Sequence, residues 1–341
     1  MPYLNHSNYQ IPNPPPRGFK TDVMPIFFSN IEDEVNACCH NAAIFDYSFL
    51  LRIEIKGLGA LGVISTICAR NFNTMPIGSI RYALFSDEDG WLISDLTVWR
   101  TAIDTVEVMS GRAEDIDYIK LKCLGKNVIL RDLSDGTACI ALQGPATNKI
   151  ISQFRGGDEV LNIAFFKFAD IKLHSLSCRV GRIGYTGLEG IEILCSPSDA
   201  GQIWSVLKAC ALPSGFIAAD RLRLRAGLPL FSKEFHPPVG PADVGLSRIR
   251  PGSVIPARVR RLCFSANLRR GKATDDVLRE IEWSPQKPFP PKDSEIAITS
   301  IQRNSEINRV VGMGYAAIGG SISQLSVISG ELSNINVNRC F

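Results

Sequence analysis

The segment LRIEIK, Leu51 to Lys56, alternates apolar and polar residues without a break and stops at Gly57, the pattern of a half-buried strand closed by a turn. Short runs of the same kind recur at residues 91–99, 127–132, 138–142, 171–180, 191–195, 261–265 and 295–301. Helical patterns fall irregularly between them. The clearest is SPSDAGQIWSVLKACA, where Ser196 caps, Pro197 fits the first turn and Asp199 suits the dipole. Ala200, Ile203, Trp204, Leu207 and Cys210 then line one apolar face. No G-x-G-x-x-G or phosphate loop follows any strand, so the mixture predicts an α+β fold rather than a regular βαβ wind and disfavours a Rossmann dehydrogenase.

A chain of 341 residues exceeds the size at which one core stops growing, and two or three domains are expected. Pro12, Pro14, Pro15 and Pro16 make residues 1–18 an extended Pro-rich arm. Beyond Asp243 the composition shifts, because residues 244–274 carry many arginines and no acidic residue; a small C-terminal β domain, barrel-like, is expected over residues 251–341. The balance of 37 basic against 34 acidic residues is near neutral, which argues against a dedicated nucleic-acid binder. No apolar stretch approaches the roughly 18 residues that a membrane span needs, and the N-terminus lacks a leader pattern. Ten cysteines without a C-x-x-C read as reduced thiols of a cytoplasmic protein, with no metal site.

Three loci stand out chemically. In DEDGWLISDLTVWR, Asp95 interrupts an apolar strand, sharing a face with Trp91, Ile93, Thr97 and Trp99 if the alternation is regular. Burial would tune such a carboxylate toward neutral pH for proton transfer; a wet face would leave it ordinary. In RVGRIGYTGLEGIEILC, Gly184, Gly187 and Gly190 punctuate a tight hairpin, and Glu192 stands between Ile191 and Ile193 in the returning strand. A carboxylate on a rigid strand can accept two parallel hydrogen bonds from a flat N–H/NH2 edge, with Tyr185 packed nearby, although an edge-strand Glu facing water reads the same. In AADRLRLRAGLPLF, Asp220 reads as a helix start, with Arg221 and Arg225 on one face and Arg223 on another, suited to a polyanionic tail or to solvent. The four histidines, His6, His40, His174 and His236, form no readable triad or metal set, and His174 falls within an alternating strand.

Together these loci resemble the glycine cleavage T-protein (aminomethyltransferase) superfamily, which also holds tetrahydrofolate-dependent demethylases and the folate domains of sarcosine and dimethylglycine dehydrogenases. AIFDYSFLLRIEIKG is similar to G-x-F-D-V-S-H-M-G, and RYALFSDEDGWLISDLTVWR to the block ending D-D-L-x-V-Y. ALQGPAT is similar to A-x-Q-G-P, RIGYTGLEGIEILC to R-T-G-Y-T-G-E-D-G-F-E, and GPADVGLSRI to P-x-E-x-G-L. The resemblance covers roughly residues 30–250. It implies a three-domain ring around a central folate funnel, with residues 19–250 forming two interleaved α+β domains that hold the folate site. It also implies Asp95 as the catalytic aspartate, Glu192 as the carboxylate on the pterin edge, and Tyr185 and Tyr82 as aromatic lining.

The chain departs from the pattern at Ala219 (Arg of G-A-R-D), Arg225 (Glu of R-L-E-A), Ser94 (first Asp of D-D) and Phe49 (His of S-H-M-G). Arg221 or Arg223 is left to hold the folate tail. The implied activity is tetrahydrofolate-dependent one-carbon transfer, in first place aminomethyl transfer from a lipoylated carrier. The basic stretch at 248–272 is suited to steering an acidic carrier, or to solvent. The alternative is a demethylase acting on a small N-, S- or O-methyl compound, and a third is a non-catalytic folate-binding assembly factor.

Overall fold

The computed structural model describes residues 25–249, 255–268, 278, 281–282, 284–292, 295–304, 309–318, 326–327 and 332–339. The Pro-rich arm expected over residues 1–18 lies outside them. In chain order the elements are α1 (Ile31–His40), β1 (Ala43–Asp46), β2 (Leu51–Lys56), α2 (Ala60–Ile67), β3 (Ser79–Ser86), β4 (Leu92–Ala102), β5 (Thr105–Ser110), α3 (Ala113–Cys123), β6 (Ile129–Asp132), β7 (Ala138–Gln143), α4 (Thr147–Ile151) and α5 (Gly157–Leu161). They continue with β8 (Phe168–Leu173), β9 (Leu176–Gly181), β10 (Gly190–Cys195), α6 (Pro197–Lys208), β11 (Leu212–Pro213), α7 (Phe216–Arg225), α8 (Phe231–Glu234), β12 (Val259–Leu268), β13 (Glu295–Asn304), β14 (Arg309–Ala317), β15 (Ser326–Val327) and β16 (Leu332–Arg339). This is the α+β mixture expected from the sequence.

The chain divides into two compact units. One comprises the described residues up to Ala83 together with Asp95–Leu222; the other comprises Leu84–Ser94 with the described residues from Arg223 onward. In the first unit six strands form a sheet in the order β11-β1-β7-β10-β9-β8. Helix α6 covers one face: Ser196 accepts from the Asp199 N–H, and Ala200, Ile203, Trp204 and Leu207 pack on Ile44, Ile140, Leu142, Ile191 and Ile193. Cys210, expected on that apolar stripe, falls past the helix end and is exposed.

The opposite face of the six-stranded sheet carries Phe45, Cys139, Ala141 and Leu194. It packs against Trp99 and Met109 of a second sheet, order β3-β4-β5-β2-β6, and against Ala218, Ala219 and Leu222 of α7. Buried Glu34 of α1 locks this layer by accepting from the Phe28, Ser29 and Gly215 N–H groups at 2.6, 2.7 and 2.9 Å.

Local expectations changed at three places. The run at 171–180 is two strands, because His174 and Ser175 adopt φ of 48° and 76° and turn the chain, so His174 lies in the turn and packs edge-on against Phe154. Asp220 lies within α7 rather than at its start. Cys263 is disulfide-bonded, against the expectation of ten reduced thiols, while eight other described cysteines are free.

The second unit is built on an open sheet, order β15-β13-β14-β12-β16. Its core includes Leu262, Phe264, Ile296, Ile298, Ile301 and Val310. Gly312 of β14 leaves room for the Phe264 ring, since a Cβ there would stand 2.6 Å from it.

Candidate active site

Strand β10 lies between β7 and β9 in the middle of its sheet, and all six of its residues are buried. Glu192 is therefore not an edge residue facing water. Its cross-strand row reads Phe45, Ala141, Glu192, Gly181 and Phe168, so the carboxylate has the two smallest side chains on either side. Among the described residues no donor lies within hydrogen-bonding distance of it, and it is only 7% exposed. Burial pushes its pKa up from the ordinary 4.5 to about 7.

Gln143, fully buried at the end of β7, sets the approach to this strand. Its Nε2 donates to the carbonyls of Ile183 and Ile191 at 3.3 and 3.5 Å, and its Oε1 accepts from Thr186 Oγ1 at 2.9 Å. A Cβ at Gly184 would stand 1.9 Å from Gln143 Oε1, and one at Gly190 2.2 Å from Nε2, which is why the hairpin needs glycine at both positions. The hairpin so fixed carries half-buried Tyr185.

Tyr47 follows β1 on the same face as Glu192. Its N–H bonds to the Cys139 carbonyl, and its ring stacks on Phe45 at 5.8 Å and meets Phe49 edge-on at 6.1 Å. The hydroxyl is sealed from solvent and has no hydrogen-bond partner among the described residues. Burial, first, and then the Glu192 charge with Cys38, Tyr185 and Cys139 hold its pKa well above the ordinary phenol value.

The second sheet brings Asp95. In β4 the residues Leu92, Ser94, Leu96 and Val98 are buried, while Ile93, Asp95 and Thr97 are half-buried, so Asp95 lies on the more open face rather than deep in an apolar strand. Tyr82 donates its hydroxyl to Asp95 Oδ2 at 2.7 Å. Further along the same face Trp99 donates to Thr97 Oγ1 at 3.0 Å, and its indole lies directly over Gly181, where a Cβ would stand 2.3 Å from the ring. Asp95 and Glu192 thus sit on facing surfaces of two packed sheets of one unit, with Trp99 spanning them. At strand rise, Asp95 is about 13 Å along β4 from Trp99.

A buried ionic bridge ties the same two surfaces. Glu107 of β5 accepts from Arg52 Nε and Arg179 Nη1, each at 2.8 Å, and Arg179 Nε also donates to Asp170 at 2.6 Å.

The sequence-predicted residues divide accordingly. Asp95, Glu192, Tyr82 and Tyr185 all belong to this unit, and Tyr82 donates to Asp95. Arg223 lies apart from them: its guanidinium is completely buried, ion-paired to Glu234 and bonded to Ser300 Oγ at 2.8 Å within the second unit. Arg221 pairs with Glu32. Tyr47, Gln143, Trp99 and Gly181 were not singled out from sequence. For Tyr47 a signal existed, since a phenol stands where the F-D-V-S-H-M-G pattern has valine.

Residues 8–250 match the family of the GCVT N-terminal domain, more than half of the chain. The chain belongs to this family. Within it, the chain is 32% identical to an aminomethyltransferase of Bacillus licheniformis over 231 residues, 65% of this chain and 63% of the relative. It is 29% identical to an aminomethyltransferase of Thermotoga neapolitana over 233 residues, 66% and 64% of the two chains. The chain thus spans under two thirds of the length of these GCVT-family relatives. The fold is similar to that of the glycine cleavage system aminomethyltransferase T from Bartonella henselae, with a TM-score of 0.71, 21% identity, and coverage of 86% of this chain and 84% of that one.

Proposed function

We propose that this GCVT-family chain is a tetrahydrofolate-dependent one-carbon transferase, most simply an aminomethyltransferase that takes a methylene from a lipoylated carrier, releases the amine and forms 5,10-methylenetetrahydrofolate. One observation carries the reading: Glu192 is a buried carboxylate with no donor among the described residues, held on a rigid central strand. An unpaired buried carboxylate is costly, and a ligand with two adjacent N–H donors removes the cost. The 2-amino-4-oxo edge of a pterin has that pattern, so the residues fit the group. Tetrahydrofolate supplies, when bound, that edge and the nucleophilic nitrogens that accept the carbon.

In this reading Glu192 ionises on binding and fixes the ring. Asp95, across the interlayer, stabilises the positive charge that develops at the transferring carbon and moves the proton released there. Tyr82 holds Asp95 in one orientation. The Trp99 indole keeps water from the layer between the sheets. An acidic lipoylated carrier is the partner that the activity requires. Of the basic stretch at 248–272, Arg248 is exposed, whereas Arg258 and Arg261 bond to the Pro238 and Gly227 carbonyls; Arg250, Arg269, Arg270 and Lys272 lie outside the described residues.

Turnover with an aminomethyl-loaded lipoyl carrier, read by product mass, tests the assignment. 5,10-Methylenetetrahydrofolate supports it. 5-Methyltetrahydrofolate formed from a small methyl donor would establish the demethylase instead, and folate binding without turnover on any donor would leave an assembly factor.

A further inference from the structure

Among the described residues, the unit that holds Glu192 contains another polar group without a partner, and it is the complementary kind. The Tyr47 hydroxyl is a buried donor and Glu192 a buried acceptor on the same face of one sheet, and neither is hydrogen-bonded among the described residues. Burying an unsatisfied hydroxyl costs stability, and here phenylalanine would stack on Phe45 and Phe49 equally well. The hydroxyl is sealed from solvent, and Tyr47 stacks on Phe45, which stands in the same cross-strand row as Glu192. An ionised carboxylate has four lone-pair sites, and a ring edge with two donors fills two of them.

We propose that Tyr47 is a positioning residue for Glu192: when a two-donor ring edge engages the carboxylate, the phenol donates to the same carboxylate and fixes it in the plane of that edge. This rests on the folate reading of Glu192 and adds a third donor, from this chain, to the two the ligand brings. The groups acting on Tyr47 besides Glu192 come from α1 (Cys38), β7 (Cys139) and the hairpin (Tyr185), none of them cationic. The guanidinium groups in the same layer, Arg52 and Arg179, are bonded to Glu107, which leaves the Tyr47 hydroxyl as the donor without another partner among the described residues.

The test compares wild type with Tyr47→Phe by calorimetric titration of tetrahydrofolate and of the tail-less tetrahydropterin across pH 5.5–8.5, alongside thermal melting of the free proteins. The expected result is about a tenfold or greater loss of affinity for both ligands. The pH midpoint of binding moves upward in the variant, because the ionised Glu192 has lost a donor. The free variant melts at the same temperature or higher. Equal affinity and an unshifted midpoint would overturn the proposal. So would a variant that fails to fold or melts lower, because a hydroxyl needed for folding must have a partner in the free protein. If wild type binds neither ligand, it is the folate reading that has failed. If wild type binds and only the Tyr47 effects are absent, the folate reading stands without this inference.

Discussion

The Tyr82 hydroxyl donates to Asp95 Oδ2 at 2.7 Å from the neighbouring strand of the same sheet, so the carboxylate proposed for catalysis is oriented by a residue that need not touch the reacting atoms. Tyr82→Phe removes one hydrogen bond to a charged group, which lowers kcat about tenfold with little change in KM. Asp95→Ala abolishes turnover while folate affinity stays within about twofold. Steady-state kinetics and titration of both variants check the pair. A Tyr82→Phe enzyme with a raised KM and an unchanged kcat would make Tyr82 a ligand contact instead.

Glu192 links stability to binding. Its pKa is about 7 in the folded protein and close to 4.5 when unfolded, so between those values the folded state keeps a proton that the unfolded state has lost. Stability therefore falls as pH rises from 4.5 to 7, and the loss is complete above 7. Glu192→Gln escapes this loss. It is expected to be more stable than wild type by about 2 kcal/mol at pH 8 and equal to it near pH 4, while binding folate at least tenfold more weakly. Denaturant titrations at the two pH values read the sign.

How much of this was legible before the fold depended on whether a residue's surroundings are local. The glycine spacing around Tyr185 and the strand holding Glu192 are local, and both read correctly. That β10 is a central strand is not local, since period-two alternation looks the same at an edge and in the middle of a sheet. The turn at His174 and Ser175 escaped because neither is a usual left-handed residue. The helical wheel put Arg223 on a separate face from Arg221 and Arg225, but only the fold brings Glu234 to it. Tyr47 was hidden for the same reason: an unpartnered hydroxyl can be recognised only once every neighbour is placed.

Gln143 has three hydrogen-bond contacts with the hairpin that leads to β10. Gln143→Leu leaves the Ile183 carbonyl and the Thr186 hydroxyl without that partner and is expected to cost about 3 kcal/mol of stability. The slackened hairpin also weakens folate binding, whereas full retention of both properties would mean that the hairpin is fixed by its backbone alone.

Arg223→Met removes the cation paired with buried Glu234, which keeps its hydrogen bonds from Leu230, Thr299 and Ser300, and is expected to destabilise the protein by about 3–5 kcal/mol. The double variant Arg223→Met with Glu234→Gln removes the buried charge, retains an acceptor for those donors and recovers part of that loss. Folate affinity, measured on the folded double variant, stays at the wild-type value; a selective loss for folates with long polyglutamate tails would return Arg223 to the role expected from sequence.

The proposed role of Glu192 as the anchor of a reduced folate is read by calorimetric titration of tetrahydrofolate into wild type and Glu192→Ala. Saturable binding to wild type and a loss of at least tenfold in the variant are expected at pH 7.5. No saturable binding to wild type, or equal affinity in the two proteins, would contradict that role.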